Sequence, residues 1–527
     1  VALRHTDHIT FFKEGRKDMA AEKKAVDTTK KASSKGNASA RKSKPAATSK
    51  AKAEATRDSP AARKAAVSPA AKSGSKPAPQ PKASRGEGSR FGVKAWVACA
   101  NMGLGHKRAT HPLRVIAEEG VIVVNDPGFT EPEELKTWDK VLGIYERLSR
   151  IKNLPIIGNF LFGIMDKFQQ IQAPYPRRDL SKPSLQSKMV ESYVKKGMCG
   201  TMIKKIKTKA LPLVTSFFFP AIAADREKCA RTYCIITDTD INRAWVANKP
   251  RESRIEYLVP CGAAMRRLKQ YGVPDERIYM TGFPMPLELL GDESLDILRR
   301  DLGERLTVLD PGDRFWPLHG MSAEHFLGRA NCRRKPKDRV FTITFAVGGA
   351  GAQKEIGQRA LASLRGRIER GELKMNLVYG KRPEVARYFE DVKREYAPES
   401  PNVRVIGGAT DDEYFGAFNE CMRTTDVLWT KPSELSFYAG LGLPILMAPT
   451  IGSQEDFNMR WLEEIQAGLH QHDPEFADEW VYELLEQGRF AEAAWDGFLK
   501  ARKYGTYKII ELLKTGTMTR ENNPLKR

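Results

Sequence analysis

Twice along this chain an apolar strand runs into a glycine-rich turn that opens a helix, and that repetition restricts the fold more than any other feature. The first instance is Val93–Ala100, then Asn101–Gly105, a helix expected over Lys107–Glu119 and a second strand at Val121–Asn125. Strand, loop, helix, strand is the signature of a right-handed parallel β-α-β unit. Further strands are expected at Leu213–Phe219, Tyr233–Thr237, Ile255–Pro260 and Ile278–Thr281. A second series begins at Val340–Val347, followed by a glycine loop, a Lys354–Arg370 helix and a Met375–Tyr379 strand. It continues through helices at Arg382–Glu395, Asp411–Asn419 and Ser433–Leu441, with strands at Val403–Ile406, Val427–Thr430 and Ile445–Ala448. Two successive doubly wound series predict an α/β chain of two Rossmann-like domains rather than one large sheet.

The expected boundaries follow. Residues 91–290 form the first, acceptor-side domain. Residues 291–338, charged and interrupted by Pro311, Gly312, Pro317 and Pro336, read as an inter-domain connection. Residues 339–475 form the donor-binding domain. Residues 476–527 form C-terminal helices able to cross back onto the first domain. Residues 1–90 hold 22 Lys and Arg against 8 Asp and Glu, so they carry most of the formal charge of +22 and leave the body mildly basic. From Met19 to Arg90 there is no aromatic residue, and such a Lys/Ala/Ser/Pro stretch cannot bury enough apolar surface to offset the entropy of ordering. It is expected to be a disordered tail that can hold polyanions non-specifically, with Met19 a candidate start. Seven scattered cysteines without C-x-x-C spacing predict a reduced compartment, and no histidine motif suggests a protein-bound metal. No run reaches the roughly 18 apolar residues needed to span a bilayer. A cytoplasmic protein, able to sit on the inner face of the cytoplasmic membrane, is expected.

The residues that could carry chemistry gather at the strand ends. His106 follows Gly103 and Gly105 in the first turn, and at neutral pH an imidazole there can take the proton of an attacking hydroxyl. Gly348, Gly349 and Gly351 would let backbone N–H groups approach a diphosphate ahead of a helix N-terminus, with Gln353 as a further donor. No Walker Lys-Ser/Thr follows, so an ATPase is a poor reading. Ser433 and Glu434 follow another strand, where a carboxylate can accept from ribose hydroxyls. Gln454, Glu455 and Asn458 offer amide and carboxylate groups suited to sugar hydroxyls, although Ser453 could equally mark a plain surface helix start. Asp238, Asp240 and Asn242 lie at the end of a later strand and are expected on the acceptor side.

Gly103-Leu104-Gly105-His106, Thr237-Asp238-Thr239-Asp240, Gly348–Gln353 and the block Lys431–Trp461 together resemble the GT-B glycosyltransferases of family 28. That group includes monogalactosyldiacylglycerol synthases, processive diacylglycerol glucosyltransferases and the enzyme that makes the peptidoglycan lipid intermediate. The resemblance spans roughly 91–290 and 340–470 and is most specific at Gly442-Leu443-Pro444, Gly452–Glu455 and Asn458; Tyr271–Pro274 and Thr281–Pro284 are similar to the end of the family's first domain. It implies two lobes facing across a cleft, a UDP-sugar as substrate with no bound cofactor or metal, and His106 as the base of an inverting hexosyl transfer to a lipid or lipid-linked acceptor. The chain departs from the pattern in three places. The first turn has fewer glycines, the family's ribose-binding Glu falls where Phe437 stands, and Asn242 occupies a position that is often His.

The mixture of apolar and basic residues over Leu142–Phe168 suits either an interfacial segment touching anionic lipid or an ordinary core-facing helix. Two other functions fit the same residues. A nucleotide-sugar epimerase would share the fold and diphosphate site but need no acceptor groove. A non-catalytic protein would bind polyanions through the tail, with strong salt dependence.

Overall fold

The structure is a computed structural model that describes residues 91–151, 171–333, 339–349 and 351–519, with Glu521 and Asn523; the side chains of 142 and 144–151 stand outside the description. These residues belong to one compact unit, Lys82–Arg527. The basic stretch 1–90 and most of the Leu142–Phe168 segment lie outside the described residues. No described helix is long and apolar enough to cross a membrane.

Two parallel six-stranded sheets organise the chain. The first holds β1 (Ala95–Cys99), β2 (Ala117–Val123), β3 (Leu213–Thr215), β4 (Thr232–Ile235), β5 (Glu256–Leu258) and β6 (Ile278–Tyr279), in the order β2-β1-β3-β4-β5-β6. The second holds β7 (Phe341–Ala346), β8 (Leu373–Gly380), β9 (Val403–Gly407), β10 (Val427–Thr430), β11 (Ile445–Met447) and β12 (Gly468–His470), in the order β12-β11-β10-β7-β8-β9. Every neighbouring pair is parallel. Central strands covered on both faces should be apolar throughout, and β1, β3, β7 and β10 are buried at every position. Two doubly wound sheets in one chain make the GT-B architecture.

Each sheet has one place where the strand order reverses, and open α/β sheets bind ligands outside the strand ends there. In the first sheet it lies between β1 and β3, in the second between β7 and β10. His106, Ser216, Gly348 and Glu434 lie just beyond the ends of these four strands.

Several local expectations need correcting. The helix after β1 runs only from Leu104 to Thr110, continues as a 3-10 turn over His111–Ile116, and gives way to β2 at Ala117. Pro112 is the reason, because it has no N–H to donate and its ring crowds the preceding turn. The expected connection over 291–338 is largely helical in its described part, which ends at Arg333. It contains the helices Asp296–Val308 and Trp316–Leu327, and Pro317 sits in the first turn of the second, where a proline is tolerated. The first of these helices is docked on the second lobe. Buried Arg305 donates to the carbonyls of Met422, Thr425 and Leu441, and Leu302 fills the space beside Gly442. Gly442 has φ +65°, and an added Cβ would stand 2.3 Å from Leu302 Cδ1. The expected helix over Ser433–Leu441 is a 3-10 helix, Glu434–Leu441.

The chain returns to the first lobe at its end. In the helix Gly505–Thr515, Thr506 Oγ1 donates to the Met285 carbonyl at 2.5 Å and Tyr507 OH donates to the Gly291 carbonyl at 2.6 Å.

Candidate functional site

Gly103 precedes the helix after β1 with φ 118°, a backbone conformation open to glycine, and so turns the chain sharply at the sheet edge. Three residues later, His106 Nδ1 lies 2.8 Å from the Ser216 carbonyl oxygen, and Ser216 Oγ returns a 2.8 Å hydrogen bond to the His106 carbonyl. A carbonyl only accepts, so in the neutral ring the proton sits on Nδ1 and Nε2 keeps its lone pair. The ring packs edge-on to Phe217 at 4.8 Å and near Trp245 at 6.1 Å. Burial among these groups lowers its pKa to about 4, against the opposing pull of the Ser216 hydrogen bond and the Glu434 carboxylate. At neutral pH this is an uncharged imidazole with an acceptor nitrogen.

The loop after β4 divides its polar residues between two tasks. Asp240 and Asn242, expected on the acceptor side, have structural partners. Asp240 is buried in a two-pronged ion pair with Arg267, at 2.7 and 2.8 Å, and also accepts from the Ile241 N–H. Asn242 Oδ1 accepts from the Ala244 N–H and caps the short turn Arg243–Trp245. Asp238 faces the other lobe. Its Oδ1 accepts from Asn458 Nδ2 at 3.1 Å, and burial raises its pKa to about 6 while the Asn458 hydrogen bond opposes and nearby Glu434 adds to the rise.

Asn458 joins the two lobes. It is fully buried, and its Oδ1 accepts from both the N–H and the hydroxyl of Thr239, each at 2.9 Å. Gln454 and Glu455 lie in the first turn of the same helix, Ser453–Glu464. Glu455 accepts from the Ile451 N–H at 2.6 Å and pairs with Lys431. The Lys431 stem crosses Gly348, where a Cβ would stand 2.5 Å from Lys431 Cε.

The glycine loop after β7 comes against the first lobe. A Cβ on Gly349 would lie 3.3 Å from the Leu104 backbone nitrogen, so the loop meets the first residue of the helix that carries His106. Gly351 is tighter still, with a Cβ 2.8 Å from Val385 Cγ2. Gln353 Nε2 donates to the Pro449 carbonyl at 2.8 Å, which ties this loop to the one after β11. Ser433 precedes the 3-10 helix without a capping hydrogen bond from its side chain. Glu434 touches Gly105, whose Cβ would stand 3.2 Å from Oε2, and accepts from Arg108 Nε at 3.2 Å. Phe437 is buried and stacked on Phe283 at 5.1 Å.

The cations that clamp the lobes together carry no motif in the sequence. Lys107 Nζ reaches Asp411 at 2.9 Å, and Lys381 reaches the same carboxylate at 2.6 Å. Arg108 is 2% exposed. It donates to Glu434 and, at 2.7 Å, to the Tyr414 hydroxyl, and its guanidinium lies 4.4 Å from the centre of the Phe418 ring. The faint signal was two adjacent cations in the short helix that follows a buried strand, where a charge needs a partner from elsewhere. No group of three His, Cys, Asp or Glu poised for a metal ion occurs among the described residues.

Comparison with known proteins adds a short-range match and several distant structural ones. Residues 381–511 match a family described as a domain of unknown function, DUF6938. That stretch runs from the end of β8 into the helix that returns to the first lobe. No curated protein matches the chain. Among solved structures, Staphylococcus aureus MnaA, as a co-structure with UDP, is similar at 12% identity and a TM-score of 0.41, over 80% of this chain and 96% of that one. Acinetobacter baumannii MurG is similar at 12% identity and a TM-score of 0.40, over 80% of this chain and 99% of that one. A putative UDP-N-acetylglucosamine 2-epimerase from Listeria monocytogenes gives 12% identity and a TM-score of 0.41, over 80% and 97%.

Proposed function

We propose that this chain is an inverting glycosyltransferase that moves a hexose from a UDP-sugar to a hydroxyl of a lipid or lipid-linked acceptor. One observation carries the reading: the loops at the two strand-order reversals meet, with Gly349 of the glycine loop against Leu104 and Glu434 against Gly105, the residues that lead into neutral His106. In the proposed reaction the acceptor hydroxyl gives its proton to His106 Nε2 as its oxygen forms a bond to the anomeric carbon. The bond from that carbon to the nucleoside diphosphate breaks on the opposite face. The departing diphosphate keeps the electron pair and is held by backbone N–H groups of the glycine loop and the N-terminus of the helix Lys354–Glu369. In this reading Gln454, Glu455 and Ser433 would serve the donor sugar and Asp238 the acceptor.

The test begins with binding. A UDP-sugar at a hundredfold excess over its Kd should stabilise the folded chain by about 2.7 kcal/mol, read as a rise of several degrees in Tm. The donor should then be consumed only when an acceptor is present, with inversion at the anomeric carbon. Formation of an epimer from the donor alone would overturn the transfer reading.

The pH dependence carries a definite sign. The base must be neutral, so kcat/KM should fall as pH drops through about 4, where the free His106 takes up its proton. A bound diphosphate adds negative charge and favours the imidazolium, so the acid limb of kcat should lie at higher pH than that of kcat/KM. Coincident limbs in the two pH–rate profiles would show that no diphosphate sits near the ring.

A further inference from the structure

Behind Asp238 lies a cavity of about 490 Å³ that the reaction above does not use. Thr239 and Asp240 form one wall, and the helix Ser453–Glu464 supplies the opposite wall with Phe457, Arg460 and Trp461. It is therefore continuous with the Asp238–Asn458 junction, because Thr239 is the residue that Asn458 grips. Its lining is unusually cationic. Arg267 is neutralised by Asp240, and Lys269 is paired with Asp275 outside the cavity. Arg177, Arg178, Arg266 and Arg460 have no carboxylate within ion-pair distance among the described residues. Two acidic residues of the lining, Asp179 and Glu464, do not pair with them, and Asp179 accepts from the Ser181 N–H instead.

Asp179 and Glu464 leave the lining with an excess of cations over carboxylates, and the Arg460 guanidinium lies over the Phe457 ring at 5.4 Å on the same wall. A planar fork of N–H donors matches a phosphate in two-pronged geometry, which a lysine cannot do. The volume suits a phosphate or diphosphate with part of its carrier. The apolar share of the wall, buried Trp461 and half-buried Phe457, would pack against the carrier.

We propose that this cavity binds the phosphate or diphosphate group of a phosphorylated acceptor and so presents its hydroxyl at the Asp238–His106 edge. Binding of a phosphate group stands on the cavity alone; its assignment to the acceptor rests on the transferase reading. The group could belong to a lipid headgroup or to a soluble phosphorylated molecule.

The experiment uses the full chain and the double variant Arg266→Gln/Arg460→Gln. Both side chains are exposed, so the variant should keep the parent's Tm. With UDP saturating the donor site, titration calorimetry with inorganic pyrophosphate should show binding to the parent and at least tenfold weaker binding to the variant. Equal affinity in the two proteins, or no binding to either, would overturn the proposal. If UDP fails to bind while the pyrophosphate difference persists, the donor reading falls and the cavity assignment stands. Sedimentation with vesicles of phosphatidylcholine, with and without phosphatidic acid, separates the sources, since the tail is the same in both proteins. Weaker sedimentation of the variant on phosphatidic acid vesicles supports a lipid headgroup. Equal sedimentation alongside the pyrophosphate difference supports a soluble phosphorylated acceptor.

Discussion

His106→Ala is expected to lower kcat by about 10²–10⁴-fold, the usual contribution of a positioned general base, while UDP binding measured by thermal shift stays close to that of the parent. The imidazole also holds the Ser216 carbonyl and fills space beside Phe217 and Trp245. The Ala variant alone therefore confounds a lost base with a loosened loop. His106→Asn separates them, because its amide can still donate to the Ser216 carbonyl but cannot take up a proton near neutral pH. Both variants should be equally inactive. Near-parental turnover by either one in a radiolabelled donor assay removes His106 from the mechanism, whatever the fold of the lobes.

Arg108→Met should destabilise the chain by about 3–5 kcal/mol, the range for removing one member of a buried ion pair. Glu434 would lose its ion-pair partner, and the Tyr414 hydroxyl would lose its donor at 2.7 Å. The side chains of Arg108 and Glu434 are only 2% and 15% exposed, so water cannot readily replace the missing contacts. Adding Glu434→Gln to Arg108→Met should recover part of the loss by removing the unpaired carboxylate, and a double-mutant cycle in urea would measure the coupling. Additive effects of the two substitutions would show that the pair does not hold the lobes together. Because Arg108 comes from the first lobe and Glu434 from the β10 edge of the second, the loss should be accompanied by a lower unfolding slope if the lobes then melt separately.

How much of this could be read before folding varies by feature. The two series of strands were legible because buried parallel strands are apolar at nearly every position, and the glycines that follow them mark turns at the sheet edge. The helices of 296–308 and 316–327 were obscured by charged residues and by Pro317. Leu298, Leu302 and Leu306 nonetheless recur every four residues and form the buried stripe of the first helix. Asp238 and Asp240 are equivalent in the chain, and only the Arg267 side chain, 27 residues from Asp240 in sequence, separates a carboxylate held in an ion pair from one that meets Asn458 of the other lobe. Glu434 suits a ribose by its place after a strand, yet its hydrogen bond goes to Arg108, a partner 326 residues earlier.

The sequence by itself determined the two doubly wound sheets and the positions of the loops at their edges, since alternation of apolar strand, glycine turn and helix is local information. Which side chains meet was decided only by the tertiary structure. Pairs such as Arg108 with Glu434, Asp238 with Asn458, and the arginines around the cavity beside Trp461 arise from packing two separately patterned lobes together. A charge or amide leaves no trace in local periodicity of the partner it will find once both are removed from water.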